Sequence, residues 1–455
     1  MLNLDLADVA RWCEGHLIGA AVRIGTVSTD TRTLAPGALF VALRGEHHDG
    51  HAFANAARAG GAAAVLVDHA LETDLPQVVV ADTLVALGDV ARGVRASREA
   101  RVIGITGSNG KTTVKSLTAS ILARHGRTHV NSGSFNNEIG LPLTLLSAPA
   151  DSDYVVLEMG AGKPGDIDYL ARIARPSVAL VNNIAPAHLE RMGSLDAIAE
   201  TKGVLYAQLP ADGIAVINAD EAYAPRFVEL AGTRRIVRFG LTTPAEIGAR
   251  FEVGAPAQQF VLVTPQGETQ VQLALPGRHN IGNALAAAAI AHALDVPLAT
   301  IKAGLEAATP VPGRNVRIAL ANGAVLIDDS YNANPGSFAA AVATLAAEPG
   351  TRVLVMGDML ELGPDAPALH ARIGALAKQE GIERLHAVGP LSAAAVEAFG
   401  ANAAHHRDQA ALVDALRAEL GAGTTALVKG SHGSGMHRVV AALSADAAPG
   451  GRHAA

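Results

Sequence analysis

The residues best suited to chemistry lie in RVIGITGSNGKTT, residues 101–113. An apolar run over 102–105 stops at Gly107, Ser108, Asn109, Gly110, Lys111, Thr112 and Thr113, and a helix-like segment, 114–123, follows. A strand, a glycine turn and a helix in this order bind phosphate. Glycines let the backbone curl so that its N–H groups point inward, and the helix start adds partial positive charge. In that geometry Lys111 reaches the β- and γ-phosphates and the Thr112 hydroxyl sits on Mg²⁺. The loop is a short variant, G-x-x-G-K-T-T from Gly107, because Ile105 stands where the longer form has its first glycine. A bare glycine turn would be only a turn; Gly-Lys-Thr-Thr after a buried-strand run predicts a bound nucleotide.

Further candidates lie downstream. Glu158 ends the apolar run 154–157. A carboxylate at the carboxyl end of a parallel strand, beside a phosphate loop, is expected to hold Mg²⁺ rather than merely cap a helix. His188 follows the run 178–181 and reads either as a structural histidine or as a ligand of metal or phosphoryl oxygen. Lys202, in the helical segment 195–208, reads on its own as a solvated lysine. Asn280 and Asn283 open a helical run, where an amide caps the helix or reads a base edge. Near the start, Ser28 to Arg32 (STDTR) and the loop 44–51 face each other across the strand 39–43. They form either a solvated loop or a holder of diphosphate or sugar through Arg32 and the hydroxyls. His47, His48 and His51 lack a cysteine or a zinc spacing and are read as loop histidines.

These groups need elements to position them, and 455 residues exceed what one hydrophobic core serves. The alternation of apolar runs and helical segments predicts an α/β protein of three domains. Residues 1–81 form a small α/β unit, and 82–311 a central P-loop mononucleotide-binding parallel sheet. Residues 312–455 form a doubly wound, Rossmann-like sheet without G-x-G-x-x-G. Pro310-Val311-Pro312-Gly313 is the linker candidate, alternation over 250–275 suggests antiparallel strands, and the end, 449–455, reads as frayed. With 49% hydrophobic and 17% charged residues the chain is globular. A net charge of −7 gives no sign of nucleic-acid or anionic-membrane binding. The single cysteine, Cys13, rules out an internal disulfide and fits a reducing cytoplasm. Asp5, Asp8 and Glu14 are unlike a signal peptide, and the alanine-rich run 284–291 falls short of the about 20 apolar residues a membrane span needs.

Five strings, SFNNEIGLPLTLL, NNIAPAHLE, LPGRHN, DDSYNANPGS and GDMLELG, occur in an order that resembles the Mur ligases, the ATP-dependent amide ligases of peptidoglycan precursor synthesis. The likeness runs from STDTR to VKGSHGSGM, essentially the whole chain. It implies a cytoplasmic, monomeric ligase using ATP and two Mg²⁺ ions, with no membrane insertion and no nucleic acid. Its substrates would be UDP-MurNAc-tripeptide and D-Ala-D-Ala, joined through an acyl phosphate. It further implies that Gly107 to Thr113 hold the ATP phosphates and that Thr112, Glu158 and His188 ligate metal. Lys202 would be carbamylated and so become an anionic metal bridge. Asn280 would meet adenine, and Arg314 and Asp329 the nucleotide phosphates and ribose. Ser28, Arg32, Asn136 and Asn137 would belong to the UDP-sugar substrate. Three positions depart from the family pattern: Val204 and His437 stand where an acidic residue is usual, and His432 where arginine is usual. The Asp-Asn-Pro-Arg motif of the diaminopimelate- or lysine-adding ligases is absent.

Overall fold

A computed structural model describes residues 2–45, 48–131, 133, 135–251 and 258–445. His47, the residues 252–257 within the 250–275 alternation and the 449–455 tail lie outside them. Among the described residues the strands form four sheets. The first unit has a five-stranded sheet, ordered His16–Ile18, Gln77–Val79, Ala64–Val67, Ala38–Val41 and Thr26–Ser28, beside a two-stranded ribbon of Leu4–Asp5 with Arg23–Ile24. The third has six strands, ordered Val316–Ala319, Val325–Asp329, Thr424–Lys429, Thr351–Gly357, Arg384–Val388 and Ala403–His406. All its pairings are parallel except the first.

Between them lies a nine-stranded sheet. Its parallel part runs Arg235–Gly240, Ile214–Asn218, Val178–Val181, Arg101–Thr106, Tyr154–Glu158 and Thr128–Val130. Ile247–Arg250 adds in parallel, and Gln259–Thr264 and Gly267–Gln272 extend the sheet antiparallel, as the alternation predicted. Strand Arg101–Thr106 has a parallel neighbour on either side, and both sheet faces are covered. That is why Val102, Ile103 and Ile105 form an apolar run with no polar alternation. Register then levels the strand ends. Glu158 pairs with Ile105 and Val181 with Thr106, so Gly107, Glu158 and Asn182 emerge side by side at the carboxyl edge, where open parallel sheets place their ligands.

Alanine has a packing purpose in this chain. Helix Arg278–Ala293 is buried from Ala284 through Ala291 and lies against the phosphate-loop helix, Lys111–Leu122. Small side chains permit the close approach, while Ile281, Leu285 and Ile290 each contribute about 1.5–3 kcal/mol of apolar burial. The first and central sheets share one core, in which Leu6, Val9, Leu39 and Leu66 cluster with Leu87, Val90, Leu170 and Ile173. Helix Thr83–Ala96 belongs to that core. Asp82 caps its start, accepting from the N–H groups of Leu84 (2.8 Å) and Val85 (3.0 Å). The third sheet buries clusters of its own around Phe338 and Leu354 on one face and Val353 and Val428 on the other. No helix among the described residues is long and apolar enough to cross a membrane.

Candidate functional site

The phosphate loop has the backbone its glycines predict. Gly107 has φ +145° and Gly110 φ +79°, and Lys111 opens the helix directly after. An asparagine network holds the curl. Asn183 Oδ1 accepts from the Asn109 N–H (2.8 Å), and the Asn182 and Asn183 amides donate to Asn109 O (3.0 and 3.1 Å). Asn182 also donates to Asn283 Oδ1 (3.0 Å), Asn283 to Asn280 Oδ1 (3.0 Å), and Asn280 to Pro276 O (2.7 Å). Helix Arg278–Ala293 is thereby tied to the loop by side-chain amides. Lys111 Nζ donates to Gly107 O at 2.9 Å and Ser108 O at 3.4 Å, so the lysine is folded back over its own loop. Desolvation pulls its pKa down.

Glu158 is almost fully buried at the adjacent strand end. Its Oε2 accepts from the Thr112 hydroxyl (2.8 Å) and its Oε1 from the Asn136 amide (2.7 Å), with Lys115 Nζ 3.5 Å away. Burial works against its charge, but Lys111, Lys115 and Arg314 outweigh that and hold the carboxyl below its usual range. Lys115 escaped the sequence reading. It is buried, and its ammonium donates to Asn131 O (3.1 Å) and Gly133 O (3.0 Å). Asn137 Oδ1 accepts from the Gly140 N–H (2.9 Å) at the start of the next helix. The reading of Lys202 as solvated is corrected. Ile198, Lys202 and Leu205 fall on one helical face, and that face packs inward, so Lys202 is only 2% exposed. Burial, with the Lys111 charge adding to it, brings its pKa to about 7.

The third unit closes over this edge. Asn334 donates to Asn109 Oδ1 (2.7 Å), and Glu361 meets the His188 ring at Nδ1. Arg314 lies with its guanidinium 4.3 Å from the Tyr331 ring centroid and forms no ion pair among the described residues. Asp329 accepts from Lys429 Nζ at 2.6 Å. The substituted His432 and His437 stack with ring centroids 6.1 Å apart, and His432 contacts Tyr331 at 5.6 Å. Together these elements enclose a cavity of 1070 Å³. It is lined by Ser108, Asn109, Gly110, Lys111, Thr113, Asn136, Asn137, Glu158, His188, Asn280, Arg314 and Asp329, with Arg191, His279 and Lys429 as residues the sequence did not single out.

Ser28 and Arg32 lie outside the cavity. The Ser28 hydroxyl accepts from the Asp30 N–H (3.1 Å), and exposed Arg32 forks onto the Asp30 carboxylate (2.7–3.2 Å). His51 gathers with Asp68 and His69, but both its ring nitrogens are occupied: Nδ1 by Asp49 (2.5 Å) and Nε2 by the Asp68 N–H (3.0 Å).

Comparison with known proteins agrees with this geometry. The chain matches the Mur ligase family, catalytic domain, over residues 23–119; the Mur ligase middle domain over 105–291; and the Mur ligase, glutamate ligase domain, over 313–432. It is 45% identical to the UDP-N-acetylmuramoyl-tripeptide–D-alanyl-D-alanine ligase of Escherichia coli (strain K12), covering 97% of this chain and 99% of that one. Among solved structures, MurF from Acinetobacter baumannii superposes with a TM-score of 0.91 at 33% identity, covering 97% and 99% of the two chains. MurF from Thermotoga maritima in complex with ADP gives 0.82 at 25%, covering 92% and 97%. A phosphate loop of the short form, a buried carboxylate beside it and near full-length similarity to these ligases place the chain in the Mur ligase family.

Proposed function

We propose that this chain joins D-alanyl-D-alanine to UDP-N-acetylmuramoyl-tripeptide with ATP, releasing ADP and phosphate. The observation that carries the reading is the single cavity in which Lys111, Glu158 and His188 from the central sheet meet Arg314 and Asp329 from the third. Full-length similarity to a ligase of that name supports the choice of substrates, and the ADP complex of a relative supports the choice of nucleotide.

A carboxylate resists attack by an amine because oxide is too poor a leaving group. In the first step the tripeptide's terminal carboxylate oxygen bonds to the γ-phosphorus, the β–γ bridging bond breaks and ADP departs. In the second the amine of D-Ala-D-Ala attacks the acyl carbon and loses a proton, and phosphate leaves. Lys111 is placed to neutralise the β- and γ-oxygens once it unfolds from Gly107 O, and the loop N–H groups orient them. Arg314, which forms no ion pair among the described residues, supplies a second cation from the third unit. Closure by Asn334 and the third sheet excludes water from an intermediate prone to hydrolysis.

The donor set suits magnesium: a hydroxyl and a carboxylate in contact at 2.8 Å beside a phosphate loop are hard oxygen ligands. Thr112, Glu158, His188 and Lys202, as its carbamate, would hold one or two Mg²⁺ ions, which supply charge neutralisation at the transferring phosphoryl group. A lysine near pKa 7 has the neutral amine that carbamate formation requires. Asn280 would contact adenine and Asp329 the ribose. Ser28 and Arg32 in the first unit would contact the UDP-sugar, as would Asn136 and Asn137 at the cavity. The units of binding are 1–81 for the sugar nucleotide, 82–311 for ATP, and 312–455 for closure and the acceptor. The enzyme is proposed to act as a cytoplasmic monomer. The test is phosphate release from ATP with UDP-MurNAc-tripeptide, with D-Ala-D-Ala added or withheld. Release should depend on the dipeptide and be lost in Lys111→Ala; release at the same rate without the dipeptide refutes the ligase reading.

A further inference from the structure

His188 and Glu361 come from segments 173 residues apart and meet where the third unit faces the central sheet. Each has a left-handed backbone, φ +55° and +61°, although neither is glycine. Such backbones persist where the surroundings dictate them, and they cluster at functional sites. The loops also touch through the backbone, the Glu190 N–H donating to Glu361 O at 3.3 Å. A carboxylate only accepts, so Nδ1 of His188 carries a proton, and in the neutral ring Nε2 is the bare nitrogen. The His188 ring lines the cavity. Asn334 reaches the phosphate loop from the same unit, so the contact that sets His188 forms together with the one that seats the third unit on Asn109.

We propose that Glu361 is a positioning residue: it selects the His188 tautomer whose bare Nε2 can ligate a metal ion, and does so only when the third unit is docked. The assignment rests on His188 acting at the site as described above. It turns a histidine of the central sheet into a sensor of closure, because its orienting carboxylate belongs to the closing unit. Outer partners of this kind typically change affinity or activity by about 10- to 100-fold when removed.

The test uses the full-length, ligand-free protein labelled with ¹⁵N-histidine. The His188 signals among the 17 histidines are assigned by their loss in His188→Ala. Wild type and Glu361→Gln, whose amide oxygen still accepts, should show the Nδ1–H tautomer; Glu361→Ala should move toward Nε2–H. In turnover, Glu361→Ala should lower kcat by about 10- to 100-fold with the KM for ATP unchanged, and Glu361→Gln should keep most of the wild-type kcat. An unchanged tautomer in Glu361→Ala overturns the proposal, as does a preserved kcat with a raised KM. Absence of dipeptide-dependent turnover in wild type would instead refute the ligase reading, and the tautomer measurement, made without substrate, would still stand.

Discussion

Replacing Gly110 by alanine tests whether the asparagine network shapes the phosphate loop. Two costs can be separated. A Cβ at φ +79° is strained by about 1–2 kcal/mol wherever it occurs. This Cβ would also fall 2.4 Å from Asn283 Oδ1 and 2.5 Å from Asn182 Nδ2, atoms joined by a 3.0 Å hydrogen bond. Breaking that bond and leaving buried amides unpaired adds about 1–3 kcal/mol, for a total of about 2–5 kcal/mol. Gly423→Ala is the control, because Gly423 has φ +80° with nothing within 4 Å and incurs only the first cost. At roughly 2–4 °C per kcal/mol, Gly110→Ala should lower the melting temperature about twice as far as the control. ADP binding, read by calorimetry, should weaken by about tenfold or more in Gly110→Ala, since the loop must shift to admit the methyl group, and stay at wild-type strength in Gly423→Ala. Asn283→Ala should be less costly in the Gly110→Ala background than in wild type, because the obstacle is already displaced. Equal melting losses in the two glycine variants, with ADP affinity intact in both, would refute the reasoning.

Lys202 gives a pH signature. Its folded pKa, about 7, lies below that of the unfolded chain, so between pH 7 and 10 the unfolded state binds more protons and this residue's contribution to stability rises with pH. In CO₂-depleted buffer, Lys202→Met should therefore melt above wild type at pH 6, and the gap should narrow as pH rises; a gap independent of pH contradicts the burial argument. Cys13 offers a chemical clock, since burial, reinforced by Asp89, pushes its thiol up to about 12 while its S–H donates to Ala86 O at 3.4 Å. At pH 8 only about one molecule in ten thousand is then thiolate, so an aromatic disulfide reagent should label the native protein far more slowly than the urea-unfolded one. Equal labelling rates in the two states would show that the thiol is not buried.

What the sequence made legible was whatever sits close together along it. The phosphate loop could be read because glycine, lysine and hydroxyl are consecutive, and Glu158 because it ends a strand whose neighbours are also strands. The three larger sheets followed in part from apolar runs, but His16–Ile18, Thr26–Ser28, Thr128–Val130, Ile247–Arg250, Val316–Ala319 and Ala403–His406 were not legible as strands. All of these except Ile247–Arg250 have a neighbour on one side only and so need no apolar run. Lys115 was missed, and Lys202 was read from its own segment as solvated, for a different reason: each sits on a buried helical stripe where a lysine looks like a solvated exception. Periodicity did carry the signal, since Ile198, Lys202 and Leu205 follow a three-to-four spacing, and a charge placed on such a stripe implies a partner or a perturbed pKa. The bonds between Asn182 and Asn283 and between His188 and Glu361 had no such trace. They join positions 101 and 173 residues apart, and only strand register and the seating of the third unit decide that those polar atoms meet. Local pattern therefore identifies which groups could act, whereas the geometry in which they act is set by long-range packing. A substitution in that packing, such as Glu361→Ala, is thus expected to change the chemistry while leaving every motif intact.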